Sequence, residues 1–214
     1  QPNNPIMKTR KYTILPLAGL AIATSPVDAA TTLTGLGGGS GSAAVPTDHG
    51  SNEAGTLNIA LDWSTAGNWD QYPNWNGRGD VYQIQDSSGG SPASVVFTPD
   101  AGFAATITSF DLDEWAGGGA TTVDWIVSGS TSGTLASGTW DDFSIADGGR
   151  STVTPNVTGA NGEVLTLSFA QTGGDGTYLA MDNLTFDEVT IPEPSSVALL
   201  GVEGLAVLLC RRRN

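Results

Sequence analysis

The 214-residue chain has one cysteine, Cys210, one histidine, His49, and only 8 Lys and Arg against 22 Asp and Glu. Each scarcity removes a class of chemistry. One His and one Cys cannot build a His/Cys zinc site, and His49 is the only imidazole that a Ser or Cys nucleophile could use as a base. A formal net charge of −14 leaves no clustered Lys and Arg to displace counterions from phosphates, which excludes nucleic acid as a partner. Charged residues are 14% of the chain and glycines number 29, a profile of short strands and turns rather than long helices.

The few cations gather at the ends. Residues 1–29 carry a net +2 and residues 191–214 a net +1, whereas the middle sets Arg78 and Arg150 against 19 acids, a net −17. From Met7 the order is basic (Lys8, Arg10, Lys11), then apolar (Ile14 to Ala23), then Val27 and Ala29 at the positions a signal peptidase reads. This predicts a secretory signal peptide over 7–29, cleaved after Ala29 by signal peptidase. Residues 1–6 lie upstream of that start and play no part in the fold reading. At the other end Pro192-Glu193-Pro194 precedes an apolar run from Val197 to Cys210 and then Arg211, Arg212 and Arg213. The run's fourteen residues would span about 21 Å as a helix, short of a hydrocarbon core of about 30 Å. Three arginines directly after it favour a cytoplasmic end, which leaves the acidic middle outside.

These three elements, in this order, resemble the PEP-CTERM sorting tail of Gram-negative bacteria. The resemblance implies that an exosortase recognises Pro192, Glu193 and Pro194, that residues 191–214 anchor the chain transiently in the inner membrane, and that the tail is then removed. The protein would pass to the cell surface or an exopolysaccharide matrix. Glu203, an acid inside the apolar run, departs from the pattern and costs about 2.5–3.5 kcal/mol on insertion scales. An anchor that is never cut is the alternative. Cys210 would leave with the tail, so the exported domain would carry no thiol or disulfide.

The middle reads as a flexible Gly/Ser-rich lead-in over 30–55, where Thr31 to Leu36 could pair as an edge strand, and one β domain over 56–190. Strands are expected near Thr56 to Trp63, Val81 to Asp86, Ser94 to Thr98, Phe103 to Leu112, Thr122 to Ser128, Thr134 to Trp140, Ser151 to Val157, Glu163 to Ala170 and Thr177 to Val189. The fold class is all-β, a jelly-roll-like β-sandwich flanked by an N-terminal signal helix and a short C-terminal apolar helix. Leu165, Leu167 and Phe169 alternate onto one face of their strand. In the last strand Leu179 and Met181 have the opposite parity to Leu184 and Phe186, which calls for a β-bulge at Asp182-Asn183. The stretch Tyr178 to Phe186 resembles the closing strand of galactose-binding-like jelly rolls, in some of which the acid at the position of Asp182 ligates a structural Ca²⁺. Val95 to Phe103 with Ile107 to Leu112 is similar to a recurrent domain of PEP-CTERM proteins.

Asp111, Asp113 and Glu114 crowd three acids into four residues, with Asp111 and Asp113 on one face of a strand end. Oxygen donors of this kind suit Ca²⁺, so Asp182, Asp111 and Asp113 are the candidate metal ligands; solvated surface acids are the alternative. Trp63, Trp69 and Trp75 recur every six residues in a segment rich in Asn, Asp and Gly. They are either a platform that stacks on sugar rings or rings that cap the core under a long loop. Trp125 and Trp140 read as core residues and His49 as a surface residue. Asp111 with Glu114, or Asp141 with Asp142, could pair as a glycosidase acid and base, but no spacing singles them out. The expectation is an exported, non-catalytic protein with a structural or carbohydrate-contacting role and exopolysaccharide as its partner. The alternatives are a lectin-like module with a defined glycan and, further off, a glycoside-active enzyme.

Overall fold

The structure is a computed structural model that describes residues 30–36, 43–66, 68–74, 77, 79–85, 92–114, 121–141, 149–174 and 179–191. The signal peptide, Pro192 to Pro194, the apolar run, Arg211 to Arg213, Trp75, Trp115 and Asp142 lie outside the described residues. Among the described residues no helix is long and apolar enough to cross a membrane.

The described chain is all-β, in two antiparallel sheets. Its strands are β1 (Thr31–Leu33), β2 (Ala43–Ala44), β3 (Ile59–Ala66), β4 (Asn68–Tyr72), β5 (Val81–Gln85), β6 (Ala93–Pro99) and β7 (Phe103–Glu114), then β8 (Thr121–Gly129), β9 (Gly133–Asp141), β10 (Arg150–Val153), β11 (Val157–Thr158), β12 (Leu165–Gly174) and β13 (Leu179–Thr190). The larger sheet runs β10-β7-β13-β5-β4-β2, with β1 also on β13 and β11 also on β7; the smaller runs β3-β6-β12-β8-β9.

Alternation explains how the sheets face each other. In the smaller sheet Val95 and Phe97 of β6, Val123 and Val127 of β8, and Leu165, Leu167 and Phe169 of β12 point inward and are buried. From the larger sheet Ile107, Phe110 and Leu112 of β7 and Leu179, Met181, Leu184 and Phe186 of β13 join the same core. Edge-on ring contacts thread it: Phe110 to Phe169 at 5.3 Å, Phe169 to Trp69 at 6.1 Å, Trp69 to Trp63 at 5.3 Å.

The bulge in β13 stands where the parity break requires it. Asp182 pairs with Asp111, yet the next pairs are Thr185 with Ser109 and Phe186 with Ile107, and Asn183 has φ +49°. β13 gains one residue and β7 then gains one back. The second slip explains why β7 also changes parity, from Ala105 and Ile107 to Phe110 and Leu112, all of them buried.

Three sequence expectations need correction. The segment read as a lead-in is partly built into the fold, because Leu33 and Val45 are buried in the core; the pairing offered for Thr31 to Leu36 is found, as β1 on β13. β4 was expected to be polar loop, but Trp69 points inward from it while its backbone pairs with β5. The strand expected over Ser151 to Val157 is two strands, β10 and β11, divided near Asn156 at φ +48°.

Candidate functional site

The acids singled out in the sequence do meet. Since Phe110, Leu112, Leu179 and Met181 face the core, Asp111, Asp113 and Asp182 occupy the outer face of the larger sheet. Register sets them side by side, with Asp182 opposite Asp111, Arg150 of β10 opposite Asp113, and Thr152 opposite Asp111. A cation already stands among them. Arg150 donates through Nε to Asp113 Oδ2 at 2.7 Å and through Nη1 to Asp182 Oδ2 at 2.9 Å. Asp111 accepts from Thr152 Oγ1 at 2.6 Å and from Asn183 Nδ2 at 2.7 Å. The Gly35 N–H reaches Asp182 Oδ1 at 3.3 Å. Gly35 lies so close that a Cβ there would come 2.3 Å from the Asp80 carbonyl carbon.

Burial of these groups is deep, with Asp113 fully buried and Asp182 5% exposed. Burial raises the Asp182 pKa, opposed by the Asn183 N–H and the Arg150 charge. For Arg150 burial disfavours the cation, but the hydrogen bond and charge of Asp113, then the charges of Asp182 and Asp111, outweigh it and raise its pKa. The oxygens expected to ligate Ca²⁺ thus face N–H and O–H donors, and calcium would have to displace the guanidinium to reach Asp113 and Asp182 together. Among the described residues no group of three or more His, Cys, Asp and Glu is arranged to hold a metal ion.

Trp63 and Trp69 are core residues, 2% and 4% exposed, which corrects the expectation of a stacking platform at these two positions. Their indole N–H groups are spent internally, on the His49 carbonyl at 2.8 Å and the Ser94 carbonyl at 3.0 Å. A buried ring with its polar edge satisfied presents no face to a sugar. The Asn- and Asp-rich surroundings gave the misleading signal; strand alternation carries the two rings inward from β3 and β4.

His49 is half-buried rather than a surface residue. Its ring packs on Trp63 and Tyr82, and its Nε2 meets Tyr82 Oη at 2.8 Å. Tyr82 Oη donates to the Thr34 carbonyl, so His49 Nε2–H is the donor to Tyr82. Burial lowers the His49 pKa, opposed by Glu53 and Asp48, and burial with the Asp182 charge raises that of Tyr82.

Sequence reasoning missed two carboxylates that tie loops together. Glu163 accepts from the Ala160 N–H at 2.8 Å, from Thr131 N–H and Oγ1 at 2.9 and 2.7 Å, and from Ser132 N–H and Oγ at 2.7 and 3.0 Å. The hydrogen bonds from Ala160 and Thr131, then Ser132, lower its pKa to about 2. Glu188 accepts from Asn58 N–H at 2.8 Å and Asn58 Nδ2 at 3.0 Å. No sequence motif marks either residue. Arg150 did leave a signal, as one of two cations in a segment with 19 acids.

Against known proteins, residues 190–213 match the PEP-CTERM protein-sorting motif. No curated protein matches the chain. Among solved structures the chain is similar to CBM27-1 of Caldicellulosiruptor saccharolyticus in complex with mannohexaose, at 10% identity over 72% of this chain and 99% of that one, with a TM-score of 0.38. It is also similar to a CBM4 structure, at 17% identity over 57% and 88%, TM-score 0.35. A third is the CBM22-1 and GH10 part of xylanase 10B of Clostridium thermocellum, complexed with xylohexaose, at 15% identity over 61% of this chain and 26% of that one, TM-score 0.37. The chain therefore carries a PEP-CTERM protein-sorting motif, and the first residue of that motif, Thr190, is the last residue of β13.

Proposed function

We propose that the chain is an exported, exosortase-sorted protein of the cell surface or exopolysaccharide matrix, with a non-catalytic structural or carbohydrate-contacting role. The sorting motif at 190–213 is the observation that carries this reading. A net −17 over residues 30–190 supports it, because mutual repulsion keeps such a domain soluble outside the cell without cross-links. The hydrogen bonds and ion pairs that Arg150, Thr152, Asn183 and Tyr82 make with Asp111, Asp113, Asp182 and His49 fit a scaffold better than a reaction centre.

The test is fractionation with an antibody to the sandwich, in a host with and without its exosortase. A shortened product at the surface or in the matrix, dependent on the enzyme and lost on Glu193→Ala, is expected. A full-length product that stays in the inner membrane in both hosts overturns the reading. Retention on exopolysaccharide in a pull-down identifies the carbohydrate contact; selective retention by one glycan makes the protein a lectin.

A further inference from the structure

The sorting motif begins inside the fold. Thr190 still pairs with Phe103, and the next residue, Ile191, gives its N–H to the Gly102 carbonyl at 2.8 Å. Five residues, Pro192 to Ser196, then separate that hydrogen bond from the apolar run that starts at Val197. Fully extended, they span about 17 Å. A headgroup layer takes up about 5–8 Å of that distance. With 197–210 read as a membrane anchor, the gap left is too thin for a protein domain, which turns the end of the sandwich where the chain exits toward lipid.

That end has a distinctive surface. Asn58 is held by Glu188, and its carbonyl accepts from the Asp100 N–H, so Leu57 and Val189 flank the same junction as the Asp100 to Gly102 turn. Leu57 is 61% exposed and Val189 39%, two of the three large apolar side chains exposed among the described residues. The end is also stiffened. Asn161 Oδ1 accepts from the Gly102 N–H at 2.9 Å, and Glu163 fastens the 130–132 turn to Ala160. Apolar side chains on a braced surface, at the exit of a short leash, fit an interfacial contact.

We propose that this end of the sandwich rests on the bilayer surface while the tail is anchored, with Leu57 and Val189 at the lipid interface. The proposal rests on the reading of 197–210 as a membrane anchor. Its partner is the lipid headgroup region, uncharged by preference, because Asp100 is exposed at the same end.

The test uses the tail-bearing protein in phosphatidylcholine vesicles that contain 5-doxyl lipid. On a Cys210→Ser background, Leu57→Cys or Ser64→Cys carries an environment-sensitive dye. Ser64 is exposed and lies five residues beyond Ile59 along β3, about 16 Å farther from the exit end. Among the described residues its side chain bonds only to the neighbouring Asp62, and an unchanged melting curve confirms that both variants fold. At least threefold stronger quenching at position 57 than at 64 is expected, and it should vanish when twelve Gly and Ser residues are inserted between Ile191 and Pro192. Co-flotation with equal quenching at the two sites overturns the proposal and leaves the anchor intact. Absence of co-flotation overturns the anchor and this proposal with it.

Discussion

Asn183 donates through Nδ2 to Asp111 Oδ2 at 2.7 Å, across β13 and β7 at the point where the two strands change register. One residue thus does two jobs, since it also adopts the left-handed φ of +49° that the bulge needs. Asn183→Ala loses both and should cost about 2–4 kcal/mol in urea unfolding. Asn183→Gly loses only the hydrogen bond and should recover about 1 kcal/mol of that. Equal losses in the two variants would show that the left-handed backbone is not the constraint.

Arg150 supplies the positive charge that Asp113 and Asp182 need in a setting where water is scarce. Arg150→Met leaves two buried carboxylates facing each other's field and should cost about 2–4 kcal/mol, toward the low end for a broken buried pair because the guanidinium is partly exposed. Calcium then has open oxygens. Millimolar Ca²⁺ should raise the Tm of Arg150→Met by several degrees more than that of the unaltered protein, measured after chelation. A strong response of the unaltered protein would mean that calcium and the guanidinium share the site.

Acid should unfold the protein in steps that can be assigned. The folded-state pKa of Glu163 is about 2, below its ordinary value. Its contribution is therefore complete above about pH 4.5 and is lost as pH falls toward 2. Glu163→Gln should lower the Tm at neutral pH and flatten its decline across that window. Gly129→Ala should mimic it, since a Cβ there would sit 2.3 Å from Glu163 Oε1. Asp182 works in the opposite sense: its raised pKa favours the folded state below the ordinary Asp range, and that contribution is lost as pH rises through the folded value. In Asp182→Asn the acid-induced loss should start at a higher pH. An unchanged profile in Glu163→Gln would remove the carboxylate from the acid transition.

His49 gives a second, milder window. Burial lowers its pKa, so stability is complete above about pH 6.5 and falls as acid drives the proton onto the ring. His49→Gln should flatten the Tm curve between about pH 5 and 7. A curve that still bends there would point to another group.

The two buried indoles are tested by their own light. Trp63→Phe and Trp69→Phe keep a ring but lose the bonds to the His49 and Ser94 carbonyls, and each should cost about 1–3 kcal/mol. Any retention on exopolysaccharide should survive both changes at temperatures where the variants are folded. Loss of retention in folded Trp69→Phe would return the ring to a binding role.

Strand parity made most of the fold legible. Leu165, Leu167 and Phe169 announced a face, and the parity break from Met181 to Leu184 placed a bulge at Asp182-Asn183, where the register shifts, though not the compensating slip at Thr185/Phe186. Alternation is a local property, so a single strand reveals it. Glu163 and Glu188 were not legible, because the groups they bring in from afar, Ser132 and Asn58, stand 31 and 130 residues away in sequence; Arg150 stood out by its charge, but its pairing with Asp182, 32 residues away, did not. β4 was hidden for a different reason. Its Asn, Asp and Gln belong to a strand paired on both sides, with one tryptophan turned into the core. Composition weighs such a segment as loop; pairing overrides it.

β13 lies between β7 and β5 in the larger sheet and also receives β1, the first strand. Among the described strands it is the last in sequence, so the larger sheet has no centre until residue 190 has been synthesised. Before that the chain can form hairpins and the smaller sheet, but β7 and β5 meet through β13 and have nothing to join them. Closure of the larger sheet therefore waits for the strand that also receives the first one.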